Sequence, residues 1–279
     1  MRNASDQVLE GMRQFDTLLS AESRTLYIPL LGKASTSKQG IILDDKKAEE
    51  ICDLFDLSLP ASSRSKWLSY YMAMRAKVFD DWVSDQLRRF PEALVVQIGC
   101  GLDSRCLRVA EQRRKWIDCD LAGVIQERRR FYDESDTYSL RVLDATEPDD
   151  LLGLPVSDCA IVALEGLSMY LNQNELTMLL SIMREKYPSI RVLMDIYTKF
   201  GARASRIKNP VKDVGVDRVY GVDDIDVLVK KTGYGELKEV SMTPAKLVNE
   251  LKTPDRQMFA VLFSGKFARS AYRLYEFGS

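Results

Sequence analysis

The stretch from Glu92 to Arg105, E-A-L-V-V-Q-I-G-C-G-L-D-S-R, constrains this chain more than any other. Leu94, Val95, Val96 and Ile98 form a short apolar run rich in β-branched residues, as a strand buried on both faces should be. The run ends in Gly99-Cys100-Gly101. An amphipathic stretch follows, with Cys106, Leu107, Val109 and Ala110 apolar among Arg105, Arg108 and Arg113. Strand, glycine turn and helix make the first unit of a nucleotide-binding α/β fold. The glycines let backbone approach a ligand, and the helix start favours polar or anionic groups. An ordinary tight turn has the same pattern, so the rest of the chain must decide.

Upstream, Val8, Met12, Phe15 and Leu19 recur at helical spacing over residues 3–20. The segment from Ser23 to Gly40, broken by Pro29 and Gly32, reads as an irregular loop. Its length and its Lys33 and Lys38 make it a candidate lid. A helix is expected from about Asp45, with Ala48, Ile51, Cys52 and Phe55 inward. A longer one from about Ser65 to Phe90 carries Trp67, Tyr71, Met74, Val78 and Trp82 in an apolar stripe. Arg75 lies beside that stripe, where it either snorkels to solvent or points into a cleft as an anion ligand.

Downstream, strands alternate with helices. Lys115 to Asp120 is a second strand, and a helix from Leu121 to Tyr132 carries Arg128-Arg129-Arg130, most simply a solvated face. Tyr138 to Leu143 is a third strand ending at Asp144, and Cys159 to Leu164 a fourth ending at Glu165. Asn172 and Glu175 make a capping box. Ile190 to Ile196 is a fifth strand, followed by a helix from Asp223 to Thr232 stopped at Gly233. Gly235 to Met242 and Met258 to Ser264 are expected as the last two strands, with no strong helix between them. The fold class is therefore α/β: a Rossmann-like, seven-stranded, mostly parallel sheet with its last strand antiparallel, behind an N-terminal helical cap. Residues 1–91 would be cap and lid, and residues 92–279 the nucleotide-binding domain.

Lys plus Arg is 40 and Asp plus Glu is 41, so no nucleic-acid footprint is expected. No apolar run approaches the ~20 residues that span a bilayer. Five scattered cysteines without a C-x-x-C pair read as reduced thiols of a cytoplasmic protein. The chain has no histidine, which removes a Ser-His-Asp triad and any His-ligated metal, and no metal site is expected.

In open α/β sheets ligands bind beyond the carboxyl ends of the strands. Four consecutive ends here carry polar groups: Gly99-Cys100-Gly101 with Asp103, then Asp118 and Asp120, then Asp144, then Glu165. An acid after the second strand suits a ribose diol, and one after the third suits the exocyclic amine of adenine. Singly, each is more often a cap or turn residue.

With these residues in place, the chain resembles the class I S-adenosylmethionine-dependent methyltransferases. More narrowly it resembles the leucine carboxyl methyltransferase family, which includes carboxyl O-methyltransferases that tailor polyketides. The resemblance rests on I-P-L-L-G-K-A-S-T-S-K, M-R-A-K-V-F-D-D-W-V, V-V-Q-I-G-C-G-L-D-S-R, W-I-D-C-D-L, L-D-A-T and A-L-E-G-L-S-M-Y-L. It implies S-adenosyl-L-methionine as cofactor. Arg75 would pair with the methionine carboxylate, assisted by Lys38. Gly99 and Gly101, with Asp103 beside them, would line the methionine and ribose. Asp120 would bind the ribose hydroxyls, Asp144 with Ala145 the adenine edge, and Glu165 would sit near the amino group. Protein-methylating members of the family are longer than this chain, and the segment from Phe131 to Tyr138 is short, which favours a small organic acid as acceptor.

A carboxylate, with a reference pKa near ~4, is ionised at neutral pH and needs no general base; a phenol, near ~10, gains more from one. Lys199, Arg203, Arg206 and Lys208 could hold the acceptor carboxylate, or be a solvated helix face. Tyr170 and Tyr197 could line its pocket. Other readings stay open: a protein C-terminal carboxyl methyltransferase, a phenol O-methyltransferase, a non-catalytic cofactor-binding module, and a nicotinamide oxidoreductase. The last expects a glycine where Ser104 stands. Sequence leaves the acceptor and the oligomeric state open.

Overall fold

A computed structural model describes residues 26–54, 65–109, 115–205 and 219–279. The expected helix over residues 3–20 lies outside them, as do Phe55, Ala110, Arg113, Arg206 and Lys208.

Among the described residues three helices come first: α1 (Tyr27–Lys38), α2 (Lys46–Leu54) and α3 (Lys66–Arg89). The expectation of an irregular loop up to Gly40 is corrected by α1. Pro29 lies in its first turn, where backbone N–H groups lack helical acceptors and proline costs little. Gly32 lies where α1 crosses α3. A Cβ there would stand 3.1 Å from the Met72 Cβ and 3.2 Å from the Ser69 Cα, so glycine permits the close crossing. Both supposed breakers are thus tolerated in a helix. In α2, Ala48 and Ile51 face inward as expected, and the Asp45 carboxylate accepts the Ala48 N–H at 2.9 Å. α3 buries Met74, Val78 and Trp82 along its stripe, and ends in Arg88 and Arg89, which oppose the helix dipole.

The alternating part follows as β1 (Leu94–Ile98), α4 (Arg105–Arg108), β2 (Trp116–Asp120), α5 (Ala122–Arg128), β3 (Tyr138–Val142), α6 (Pro148–Leu152) and β4 (Cys159–Leu164). α4 is a single turn with Leu107 exposed, shorter than the amphipathic stretch implied. A 3-10 turn at Ser168–Tyr170 leads to α7 (Gln173–Lys186), which opens with the expected Asn172–Glu175 capping box. Then come β5 (Ser189–Tyr197), α8 (Lys199–Ser205), α9 (Ile225–Lys231), β6 (Gly235–Val240), α10 (Ala245–Val248), α11 (Asp255–Phe263), α12 (Lys266–Ala271) and β7 (Tyr272–Gly278).

The seven strands form one sheet in the order β3-β2-β1-β4-β5-β7-β6. β1 to β5 are parallel, and β7 runs antiparallel to both β5 and β6. The overall architecture is the one expected, but the last strand is not Met258 to Ser264. That segment lies in α11, where Phe259 and Phe263, one turn apart, stack at 5.0 Å. Its unbroken apolar run fits a strand or a buried helix equally well. The true strand, Y-R-L-Y-E-F-G, puts Tyr272 and Leu274 on one face and Tyr275 and Phe277 on the other.

Period two along the strands decides which side chains meet the helices. Val95, Ile161 and Leu193 share a hydrophobic cluster with Met74, Phe79 and Val83 of α3. Gln97, Asp118, Glu165 and Asp195 have the same parity on or just past their strands, so they lie on the α3 face. No helix among the described residues is long and apolar enough to cross a membrane.

Candidate active site

A cavity of about 580 Å³ lies at the carboxyl ends of β1, β2 and β4, between the sheet and helices α1 and α3. Gly99, Gly101, Asp103, Asp120, Asp144, Ala145, Glu165, Arg75, Tyr170 and Tyr197 all line it. The four polar strand ends are therefore brought together as the alternation implied. Lys38 and Arg203 do not line it. Lys38 reaches outward to Asp53, and Arg203 is exposed on α8 beside exposed Lys199. The lysine of α1 in the cavity wall is Lys33, buried and paired with Asp103. It lies five residues before Lys38 and so on a different face of α1.

The glycine turn is held from both sides. Gly99 and Gly101 have φ of 74° and 52°, where side chains other than glycine are strained. The Gly101 N–H donates to Asp120 Oδ2 at 2.8 Å, and its carbonyl accepts from Arg128 Nη1 at 3.0 Å. Arg128 is wholly buried, paired with Asp118, and stacked on Tyr132 at 4.0 Å. The expectation of a solvated Arg128–Arg130 face is corrected at this residue. Arg129 and Arg130 are exposed, but residue 128 is the inward position of the helix end.

Asp120 also accepts the Leu121 N–H at 2.8 Å through Oδ1. Burial raises its carboxyl above the usual value, against the pull of these two N–H groups. Asp144 Oδ1 accepts from the Thr146 N–H at 2.9 Å and the Thr146 hydroxyl at 2.7 Å, closing the turn beside Ala145.

The opposite wall is a buried charge network. Arg75 Nε donates to Glu165 Oε1 at 2.9 Å, and Nη1 donates to Asp195 Oδ2 at 3.2 Å and to the Tyr272 hydroxyl at 2.9 Å. Glu165 is shared with Arg105, whose Nε donates to Asp80 Oδ1 at 2.8 Å. Arg108 bridges Asp80, Asp45 and Asp103. Burial pushes the Asp103 carboxyl up, but Arg108, Lys33 and Arg105 outweigh it and hold it well below the usual range. At Glu165 burial likewise acts upward, and Arg75 and Arg105 overcome it. Arg75 therefore points into the cleft and does not snorkel. Its remaining nitrogen, Nη2, has no partner among the described residues. Gln97, missed from sequence, lines the cavity at 2 % exposure, and its side-chain oxygen has no hydrogen-bond partner. Its one visible signal is a polar residue in an otherwise apolar buried strand.

The remaining end of the cavity is aromatic. Tyr197 and Tyr272 lie 4.7 Å apart between ring centroids, with Tyr71 6.3 Å from Tyr272 and 5.8 Å from Phe263. Burial raises the Tyr71 and Tyr272 hydroxyls, which keeps them protonated at neutral pH. Among the described residues, Lys33 and Arg75 are the cations that line the cavity.

Residues 24–137 match the model of the leucine carboxyl methyltransferase family. The tetracenomycin polyketide synthesis O-methyltransferase of Streptomyces glaucescens is 26 % identical over 262 residues, 93 % of this chain and 97 % of that one. An S-adenosyl-L-methionine-dependent methyltransferase of Gibberella zeae is 32 % identical over 181 residues, 59 % of this chain and 60 % of that one. A crystal structure of a putative methyltransferase from Thermobifida fusca superposes with a TM-score of 0.57 at 12 % identity, covering 83 % of this chain and 86 % of that one. The fold is that of a class I S-adenosylmethionine-dependent methyltransferase. The nicotinamide oxidoreductase reading falls with it, and the leucine carboxyl methyltransferase match is confined to the first half of the chain.

Proposed function

We propose that this chain is an S-adenosylmethionine-dependent O-methyltransferase of the leucine carboxyl methyltransferase family, and that it converts a carboxylate of a small organic acid to its methyl ester. The observation that carries the reading is the cavity itself. One wall offers the polar ends of β1 to β4, and the other offers Arg75, whose Nη2 has no partner among the described residues. In this reading residues 1–91 form the cap and residues 92–279 the cofactor-binding domain.

The unsatisfied groups fit the cofactor. Arg75 Nη2 faces where a carboxylate would lie, and the unpartnered Gln97 oxygen suits an ammonium hydrogen. Gly99 and Gly101 leave room for the methionine and ribose. Asp120, whose lone pairs are only partly used by Gly101 and Leu121, accepts from the ribose hydroxyls. Asp144 and Ala145 meet the adenine edge. Asp103 and Lys33 hold the turn between these groups. Glu165 neutralises Arg75 and Arg105, and its own oxygens are occupied by them.

When bound, S-adenosylmethionine supplies an electrophilic methyl group, which an acceptor oxygen takes with its lone pair while the bonding electrons stay on sulfur. The residues of the chain align and enclose the reactants. Tyr170, Tyr197 and Tyr272 present the acceptor through ring contacts. An ionised carboxylate requires no base, which agrees with a chain that has no histidine. The similarity to a tetracenomycin polyketide synthesis O-methyltransferase supports a small molecule of polyketide type as acceptor. A phenol is the second reading, favoured by an acceptor end that offers tyrosines and no cation among the described residues.

Calorimetry with S-adenosylhomocysteine tests the cofactor, with micromolar binding expected and none for NAD. Turnover is then followed by mass spectrometry with paired aromatic acids and phenols. Methyl esters support the carboxylate reading, methyl ethers alone replace it with the phenol reading, and binding without turnover of either class leaves a non-catalytic cofactor-binding module.

A further inference from the structure

Asp195 has no role in the scheme above, yet it is among the most enclosed carboxylates of the molecule, with no solvent exposure at all. It stands near the carboxyl end of β5, on the sheet face that meets α3. Its Oδ1 accepts the Gly166 N–H at 2.8 Å. Its Oδ2 accepts the Tyr272 hydroxyl at 2.6 Å and Arg75 Nη1 at 3.2 Å. The Tyr272 hydroxyl in turn accepts from the same Nη1 at 2.9 Å. β5 and β7, both distant in sequence from α3, thus meet at one nitrogen of Arg75.

The consequence is geometric. A guanidinium has five N–H donors in a rigid plane. Glu165 accepts from Nε, and Asp195 and the Tyr272 hydroxyl, themselves hydrogen-bonded to each other, both accept from Nη1. Two nitrogens of the fork are held, so its plane is fixed, and Nη2 is the nitrogen without a partner among the described residues. Glu165 alone would leave the plane free to pivot about a single contact. The Tyr272 ring is itself held between Tyr197 and Tyr71.

We propose that Asp195 and Tyr272 are positioning residues for cofactor recognition: they aim Arg75 Nη2 at the methionine carboxylate. The inference rests on the assignment of Arg75 to that carboxylate. It adds two residues that need not touch the cofactor, and it predicts contact with the carboxylate through one nitrogen of Arg75 instead of a fork.

The test compares S-adenosylhomocysteine with its decarboxylated analogue, which lacks only the carboxylate, by calorimetry on the full chain. Wild type should prefer the carboxylate-bearing ligand by about tenfold or more, as one charge-assisted contact supplies. In Asp195→Asn and in Tyr272→Phe that preference should shrink towards one, while affinity for the decarboxylated ligand stays within about twofold. Tyr272→Phe keeps the aromatic ring and stands alone should Asp195→Asn fail to fold. An unchanged preference overturns the proposal, and so does an equal loss of both ligands, which marks general damage to the site. Wild type that binds both ligands equally overturns the Arg75 assignment and this inference together. Wild type that binds neither overturns the methyltransferase reading itself.

Discussion

Arg128 and Asp118 form an ion pair in which neither side chain touches solvent, directly beneath the glycine turn. The Asp118 carboxylate also accepts the Trp116 indole N–H at 2.8 Å and the Tyr138 hydroxyl at 2.8 Å. A charge so enclosed is tolerable only while its partner is present. Arg128→Met should therefore cost about 3–5 kcal/mol in urea unfolding, the range for breaking a buried pair from one side. Arg129→Met, one residue on and exposed, should stay within about 0.5 kcal/mol. Equal effects of the two substitutions would contradict the buried placement.

Asp120 should govern the pH dependence of cofactor binding. Burial raises its pKa, and only the ionised form can accept hydrogen bonds from a ribose through both oxygens. Affinity for S-adenosylhomocysteine should fall as pH drops from neutral towards that raised value, beginning above the ~3.9 of a free aspartate. Asp120→Asn should bind about tenfold more weakly at pH 7, matching the loss of a bond to a charged group. Its affinity should also change less with pH. A variant with wild-type affinity would remove Asp120 from the site.

Acid stability depends on Asp103, whose pKa is shifted in the opposite direction to that of Asp120. Its pKa is depressed in the folded state, so its stabilisation is present above the unfolded value of ~3.9 and lost as pH falls through the folded value. Glu165 adds in the same direction, whereas Asp120 and Asp195, both raised by burial, oppose it. Asp103→Asn should lower stability at pH 7 and flatten the loss below about pH 4. Urea unfolding at a series of pH values measures both, and parallel curves for variant and wild type would exclude the effect.

The two lysines of α1 should separate cleanly. Lys33→Met leaves Asp103 in the cavity wall without its Nζ partner, and should weaken S-adenosylhomocysteine binding and lower the melting temperature. Lys38→Met removes an exposed contact to Asp53 and should alter neither. Differential scanning fluorimetry with and without ligand reads both. A larger effect at Lys38 would return it to the site.

The polar strand ends were legible because strand ends in a parallel sheet converge on one edge, so Asp120, Asp144 and Glu165 needed no tertiary knowledge. Arg75 was legible only as two alternatives, since helical spacing places it beside the apolar stripe without saying what faces it. Lys33 and Lys38 are equivalent in a segment that reads as a loop, because only a helical period separates their faces. Asp195 was invisible as a site residue, since it reads as one acid within a strand and its partners are 29, 77 and 120 positions away. Met258 to Ser264 misled because continuous apolar runs carry no period. Arg128 misled because a run of three arginines says nothing about which one turns inward.

The hydrophobic cluster that spans the helices and the sheet bears on how the molecule opens. Leu30 of α1, Phe79 and Val83 of α3, and Val95, Ile161, Leu193 and Leu274 of the sheet belong to one continuous apolar contact group. Parting α1 and α3 from the strands would expose that whole group to water at once, which makes their separation costly. For the same reason denaturation should show a single cooperative transition, and a truncated chain beginning at β1 should be insoluble rather than a smaller working protein.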